Sequence, residues 1–116
     1  MFDFEKLDVY QNLKALNIKV LKFLKARQDI DIYLSDQWKR ATLSVSLNLA
    51  EGTGRMSGSD KKRFYTIARS SVFECVAILD LLKETENIDE EKWQDFYASY
   101  EQISKMLLAM YRSFNK

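Results

Sequence analysis

Apolar residues recur at three- and four-residue steps in three stretches of the chain. Leu7, Tyr10, Leu13, Leu16, Val20, Phe23 and Leu24 form the first stripe, with Lys14, Asn17, Lys22 and Lys25 between them as a polar face. Phe64, Ile67, Ala68, Ser71, Cys75, Ile78, Leu79 and Leu82 form another. Trp93, Phe96, Tyr100, Ile103, Leu107, Met110 and Phe114 form the last. That period predicts amphipathic helices that pack against several neighbours. Between the first two stripes, Thr42 to Leu49 alternates polar and apolar residues, the period of a half-buried strand. A lone strand has no ladder partner, and nothing else in the chain reads as strand. Residues 35–55 also fit a helix. Leu43, Leu47, Ala50 and Trp38, Val45, Leu49 then cover two adjoining faces, and Gln37, Arg40, Ser44, Asn48, Glu51 and Arg55 a third. By elimination a helix is expected there.

The breaks have local causes. Ser35 and Asp36 are candidate caps for the second helix, and Gly52 and Gly54 are expected to loosen its end, with Gly58 in the turn. Ser57 to Asp60 has the spacing of a capping box, with Asp in the place of Glu or Gln. Asn87 or Asp89 is positioned to cap the last helix. The short connections predict antiparallel neighbours. The expected fold is all-α: one domain over residues 1–116, an antiparallel up-down-up-down four-helix bundle.

Composition narrows the chemistry. His is absent, which removes histidine bases and ligands, and a single Cys excludes an intrachain disulfide. Cys75 falls on an apolar stripe and is expected to be a buried, inert thiol. A di-iron bundle site needs Glu-x-x-His pairs, so no metal is expected. Gly52-Thr53-Gly54 lacks the Lys-Ser/Thr ending of a phosphate loop. No catalytic residue, cofactor or enzymatic activity is expected. With no signal peptide and no membrane span, the expected location is the cytoplasm.

Charge layout says more than the net +1. From Thr53 to Arg69, the basic residues Arg55, Lys61, Lys62, Arg63 and Arg69 face only Asp60, a local +4. From Lys83 to Asp95 the balance is −4. In an antiparallel bundle these stretches lie at opposite ends, and Arg112 and Lys116 join the basic one. Clustered cations can contact phosphates, and Phe64 and Tyr65 beside them offer rings for stacking on bases. The other reading is a solvated turn with Phe64 in the core. Glu51 or Glu74 is expected to pair with Arg40 or Arg69, between helices or between subunits. Tyr10, Tyr33, Tyr97 and Tyr111 are candidates for a subunit interface, or for wrapping the monomer's own core.

Gln37-Trp38-Lys39-Arg40-Ala41, Ser44-Val45, Asn48-Leu49-Ala50-Glu51-Gly52, Gly54-Arg55 and Ser57 resemble the signature of the 23S rRNA-intervening-sequence proteins. Arg63-Phe64, Ile67-Ala68, Ser71 and Glu74 continue the likeness, as do Phe4, Leu7 and Val9 near the start. The chain departs from that pattern at Ser46, where the family often has Pro, at Ser70, where it often has Gly, and at Lys61, where it usually has an apolar residue. The resemblance implies a helical bundle with no established enzymatic activity. Relatives of the family include the accessory variability determinants of diversity-generating retroelements, basic pentameric rings that bind nucleic acid and a reverse transcriptase. It therefore implies a homo-oligomer, a pentamer by analogy, whose partner is RNA, DNA or a nucleic-acid enzyme. It also gives weight to Arg40, Ser44, Asn48, Glu51, Gly52, Ser71 and Glu74 as motif or structural residues. Arg55, Lys61, Lys62, Arg63 and Arg69 are the expected phosphate contacts. The rival expectation is a protein-interaction scaffold with no nucleic-acid role.

Overall fold

A computed structural model describes residues 1–85 and 87–114. Glu86 of the acidic stretch and Lys116 of the basic end lie outside the described residues. A short 3-10 helix, Asp3–Lys6, precedes α1 (Asp8–Lys25), α2 (Ile32–Gly54), α3 (Gly58–Glu84) and α4 (Glu90–Ser113). No strand occurs among the described residues, so the alternating segment is helical. Its alternation arises because Thr42 and Ser46 are polar residues turned toward α1 rather than toward solvent.

Two of the expected caps form. Ser57 accepts the amide of Asp60 at the start of α3, and Asp89 accepts that of Lys92 at the start of α4. The start of α2 lies earlier than expected. Asp31 is its cap, its carboxylate accepting the amides of Tyr33 and Leu34, so Ser35 and Asp36 lie inside the helix. Gly52 and Gly54 both lie among the last residues of α2, which ends at Gly54.

Each helix packs against its sequence neighbours, and α4 closes on α1. Asn17 of α1 bonds to Ser46 of α2, Ser44 of α2 to Ser71 of α3, and Arg69 of α3 to Ser104 of α4. Lys19 of α1 pairs with Asp95 of α4 at 3.3 Å. Phe23 near the end of α1 and Phe96 near the start of α4 meet Trp38 near the start of α2, which is the antiparallel order. The bundle is thus the four-helix architecture expected from the periodicity.

The core is apolar with one polar thread. Leu13, Val20, Val45, Leu49, Leu79, Leu82, Ile103 and Leu107 are fully buried. Phe23, Trp38 and Phe96 meet edge to face at 5.1–5.9 Å between centroids. The Trp38 indole N–H donates to Tyr100 Oη at 2.9 Å. Thr42 Oγ1 donates to Asn17 Oδ1 at 2.5 Å, so at 3.0 Å it accepts the proton of Tyr100. Asn17 Nδ2 donates on to Ser46 Oγ at 2.5 Å and to the Thr42 carbonyl at 3.2 Å. Every member is satisfied, which is the condition for a buried polar group to be tolerated. Asn17, expected as part of a polar face, instead links this thread to Ser46.

Candidate nucleic-acid interface and the α2–α3 face

Residues 55–57 connect α2 to α3 and gather the basic residues at one end of the bundle. Arg55 and Arg63 both lie against the ring of Phe64, their guanidinium carbons 4.4 and 4.7 Å from its centroid. Lys61 Nζ donates to the Thr53 carbonyl at 2.8 Å, satisfying a carbonyl at the end of α2. The Lys62 ammonium sits 5.1 Å from the ring of Tyr111, and Gly58 packs on Phe114. The end of α4 thus shares this pole with the turn, as the antiparallel order requires.

Phe64 and Tyr65 are not available to stack on bases, being only 6% and 2% exposed. Phe64 is the floor under two cations, and Tyr65 fills the space left by Gly52. A Cβ built on Gly52 would lie 2.7 Å from Tyr65 Cε1 and 3.0 Å from Phe64 Cβ. Arg69 stands apart from the turn, further along α3. Its Nε donates to Ser104 Oγ at 3.1 Å, and its guanidinium lies 4.9 Å from the Phe73 ring.

The motif residues of α2 and α3 share one face. Asn48 Nδ2 donates to Ser44 Oγ at 3.1 Å and to the Ser44 carbonyl at 2.9 Å. Ser71 donates to the Ile67 carbonyl at 3.2 Å, which leaves its oxygen to accept the Ser44 hydroxyl at 2.8 Å. These small residues let the two helices meet along a hydrogen-bonded seam. Arg40, Glu51 and Glu74 flank it and are exposed. The expected pairing of Glu51 or Glu74 with Arg40 or Arg69 does not form within the chain. Among the described residues the ion pairs are Lys19–Asp95, Arg27–Asp29 and Lys83–Glu90. An exposed pair gains little in water over two solvated side chains, so nothing compels these to meet.

Cys75 is buried, and burial pushes its thiol up to about 12. It faces Tyr100 and Thr42 and is no nucleophile in this setting. Of the four tyrosines expected at an interface, Tyr33 is exposed, Tyr97 stacks on Trp93, Tyr10 packs edge-on to Phe4, and Tyr111 lies by Lys62. More prominent apolar exposure lies elsewhere. Leu43 and Leu47 project from the outer face of α2, more than half exposed, with Ile18 and Leu21 exposed on α1. The alternation had concealed this, because Leu43 and Leu47 looked like core positions. Phe73 was also missed, although its spacing of four residues from Arg69 on one helix marks the pair. No helix among the described residues is long and apolar enough to cross a membrane.

Residues 5–109 match the family model of the 23S rRNA-intervening sequence proteins. A crystal structure of a protein of unknown function from the S23 ribosomal protein family of Bacteroides thetaiotaomicron has the same fold. It superposes with a TM-score of 0.83 at 23% identity, covering 89% of this chain and 97% of that one. No curated protein matches the sequence.

Proposed function

With the chain a member of the 23S rRNA-intervening sequence protein family, we propose that it is a non-enzymatic, self-assembling bundle that binds RNA or DNA at the α2–α3 turn. The observation that carries this reading is the Arg55–Phe64–Arg63 clamp. Two guanidinium groups are laid on one buried ring at an exposed end of the molecule. A guanidinium lying on an aromatic ring still has N–H groups that can reach a phosphate in a fork. Holding both side chains in place beforehand lowers the ordering cost of binding. Lys62 adds charge beside them, while Lys61 is engaged as a helix-end donor. The sealed thiol of Cys75 supports a role without covalent chemistry.

The Arg55→Glu, Arg63→Glu double variant tests the binding site. Titration against a short labelled RNA is expected to show at least a roughly 10-fold loss of affinity. The dependence of log K on log salt should flatten by about 1.5, the share of two phosphate contacts. Unchanged affinity and slope in a variant with an unaltered melting curve would overturn the assignment.

Self-assembly rests on Leu43 and Leu47, whose side chains stand in water on the outer face of α2. The surface of a second copy is the occupant that would bury them. Light scattering of the Leu43→Glu, Leu47→Glu variant is expected to give the mass of a single chain, against a multiple for the wild type. A wild-type protein that is itself monomeric would refute assembly. The same leucines favour the second reading, a protein scaffold, if the assembly carries no nucleic acid before nuclease treatment.

A further inference from the structure

Beyond the turn, a furrow runs down the side of the bundle between α3 and α4. Three hollows make it up. One, of about 380 Å³, begins at the turn and is bordered by Arg63, Thr66 and Tyr111. The next, of about 290 Å³, shares Thr66 and Tyr111 with the first and reaches Arg69 and Phe73. The last, of about 350 Å³, shares Arg69 and Phe73 and ends among Tyr97, Glu101 and Lys105. The furrow is therefore continuous with the Arg55–Arg63 clamp.

Its chemistry is rings alternating with cations. Phe73 is 58% exposed, with Arg69 against its ring. Tyr111 lies against Lys62, two turns of α3 nearer the turn. Lys105 adds positive charge from α4, and Glu101 opposes it. A polyanion with flat, apolar faces complements this surface; an acidic peptide would supply the charge but not the faces. A duplex keeps its base faces stacked inside. A single strand turns them outward, and stacking on aromatic side chains is how proteins hold it. The α3 stretch from Ser59 to Val76 that borders the furrow is about 26 Å long at the helical rise, enough for about four nucleotides.

We propose that the α3–α4 furrow is a single-strand-binding site, in which bases of an oligonucleotide stack on Phe73 and Tyr111 while Arg69 and Lys105 hold its phosphates. This rests on the reading that the α2–α3 turn binds nucleic acid and extends it. The turn engages backbone of any form; the furrow selects the unpaired strand.

The test is fluorescence anisotropy with a labelled oligouridylate, a labelled oligothymidylate and a duplex of equal length, on the full chain in its native assembly. Wild-type protein is expected to prefer the single strands by about 10-fold or more. Phe73→Ala should weaken single-strand binding by between about 5- and 150-fold, the worth of one stacked base, and leave the duplex and the salt slope unchanged. Lys105→Glu should instead flatten the single-strand slope by about 0.7. Comparing the two single strands shows whether the sugar matters. If both variants bind like wild type while Arg55→Glu, Arg63→Glu does not, the furrow is idle and the turn stands alone. If the double variant too binds like wild type, the reading of the turn fails as well. A change in assembly mass on Phe73→Ala would show the furrow to be a contact between copies, and would overturn the proposal.

Discussion

Trp38→Ala is expected to lower stability by about 3–5 kcal/mol, seen as a drop of roughly 10–20 °C in melting temperature by circular dichroism. Trp38 is fully buried at the meeting point of α1, α2 and α4, edge-on to both Phe23 and Phe96. Truncation removes those contacts and leaves a cavity that backbone in three helices would have to move to fill. It also takes away the donor to Tyr100 Oη. Tyr100 keeps a partner in Thr42, so the larger part of the loss is packing. Total stability of a domain this size is of order 5–15 kcal/mol, so the variant should lose a large fraction of it. A shift below about 3 °C would contradict this account of the core.

Gly52→Val is expected to cost about 2–3 kcal/mol by overpacking. The first added atom would overlap the ring of Tyr65 and press on Phe64 Cβ, which is close to the α3 backbone. Tyr65 is buried, so its ring would have to leave its packed position to make room. Gly54, two residues on, is the internal control. Nothing lies within 4 Å of a Cβ placed there, so Gly54→Ala should remain within about 1 kcal/mol of wild type. Denaturant titration of both variants distinguishes close helix approach from a general need for flexibility at the end of α2. Equal losses at the two positions would favour the latter. Displacing Phe64 would also tilt the platform under Arg55 and Arg63. Gly52→Val should therefore weaken RNA binding in conditions where it remains folded.

The apolar period was enough to place α1, α3 and α4, because their stripes alternate with charged residues that have no other place to go. It misled in α2. There the residues facing α1 and α3 are Thr42, Ser46 and Ser44, small polar side chains that bond across helix interfaces, with Asn48 bonded back to Ser44 within α2. Meanwhile Leu43 and Leu47 face water. Hydropathy alone inverts those two sides. The cap Asp31 lies four residues before Ser35, the first residue of the expected helix, where Ser35 and Asp36 offered capping side chains of their own. The basic turn was legible as a run of charges, and the sharing of that end with the close of α4 followed from the topology. Which charges are held, and by what, was not. The position of Arg63 and Arg55 on a common ring depends on Phe64 pointing inward, which Tyr65 and Gly52 decide together. The α3–α4 furrow pairs residues more than twenty positions apart, and no local pattern carries that information.

The polar thread through the core gives the bundle a sense of direction. Its protons run one way, from Trp38 through Tyr100 and Thr42 to Asn17 and on to Ser46. Leucines alone would tolerate α1 sliding past α2 by one turn, since one leucine replaces another. Such a slip would bring Leu13 or Leu21 to the place of Asn17. Thr42, which is buried, would then have no acceptor for its proton, an orphaned group costing about 1–3 kcal/mol, and half-buried Ser46 would lose its donor. One half-buried asparagine therefore acts as a key for alignment, the role single polar residues at core positions play in coiled coils. It excludes mispaired bundles that greasy side chains would accept, and does so before any partner is met.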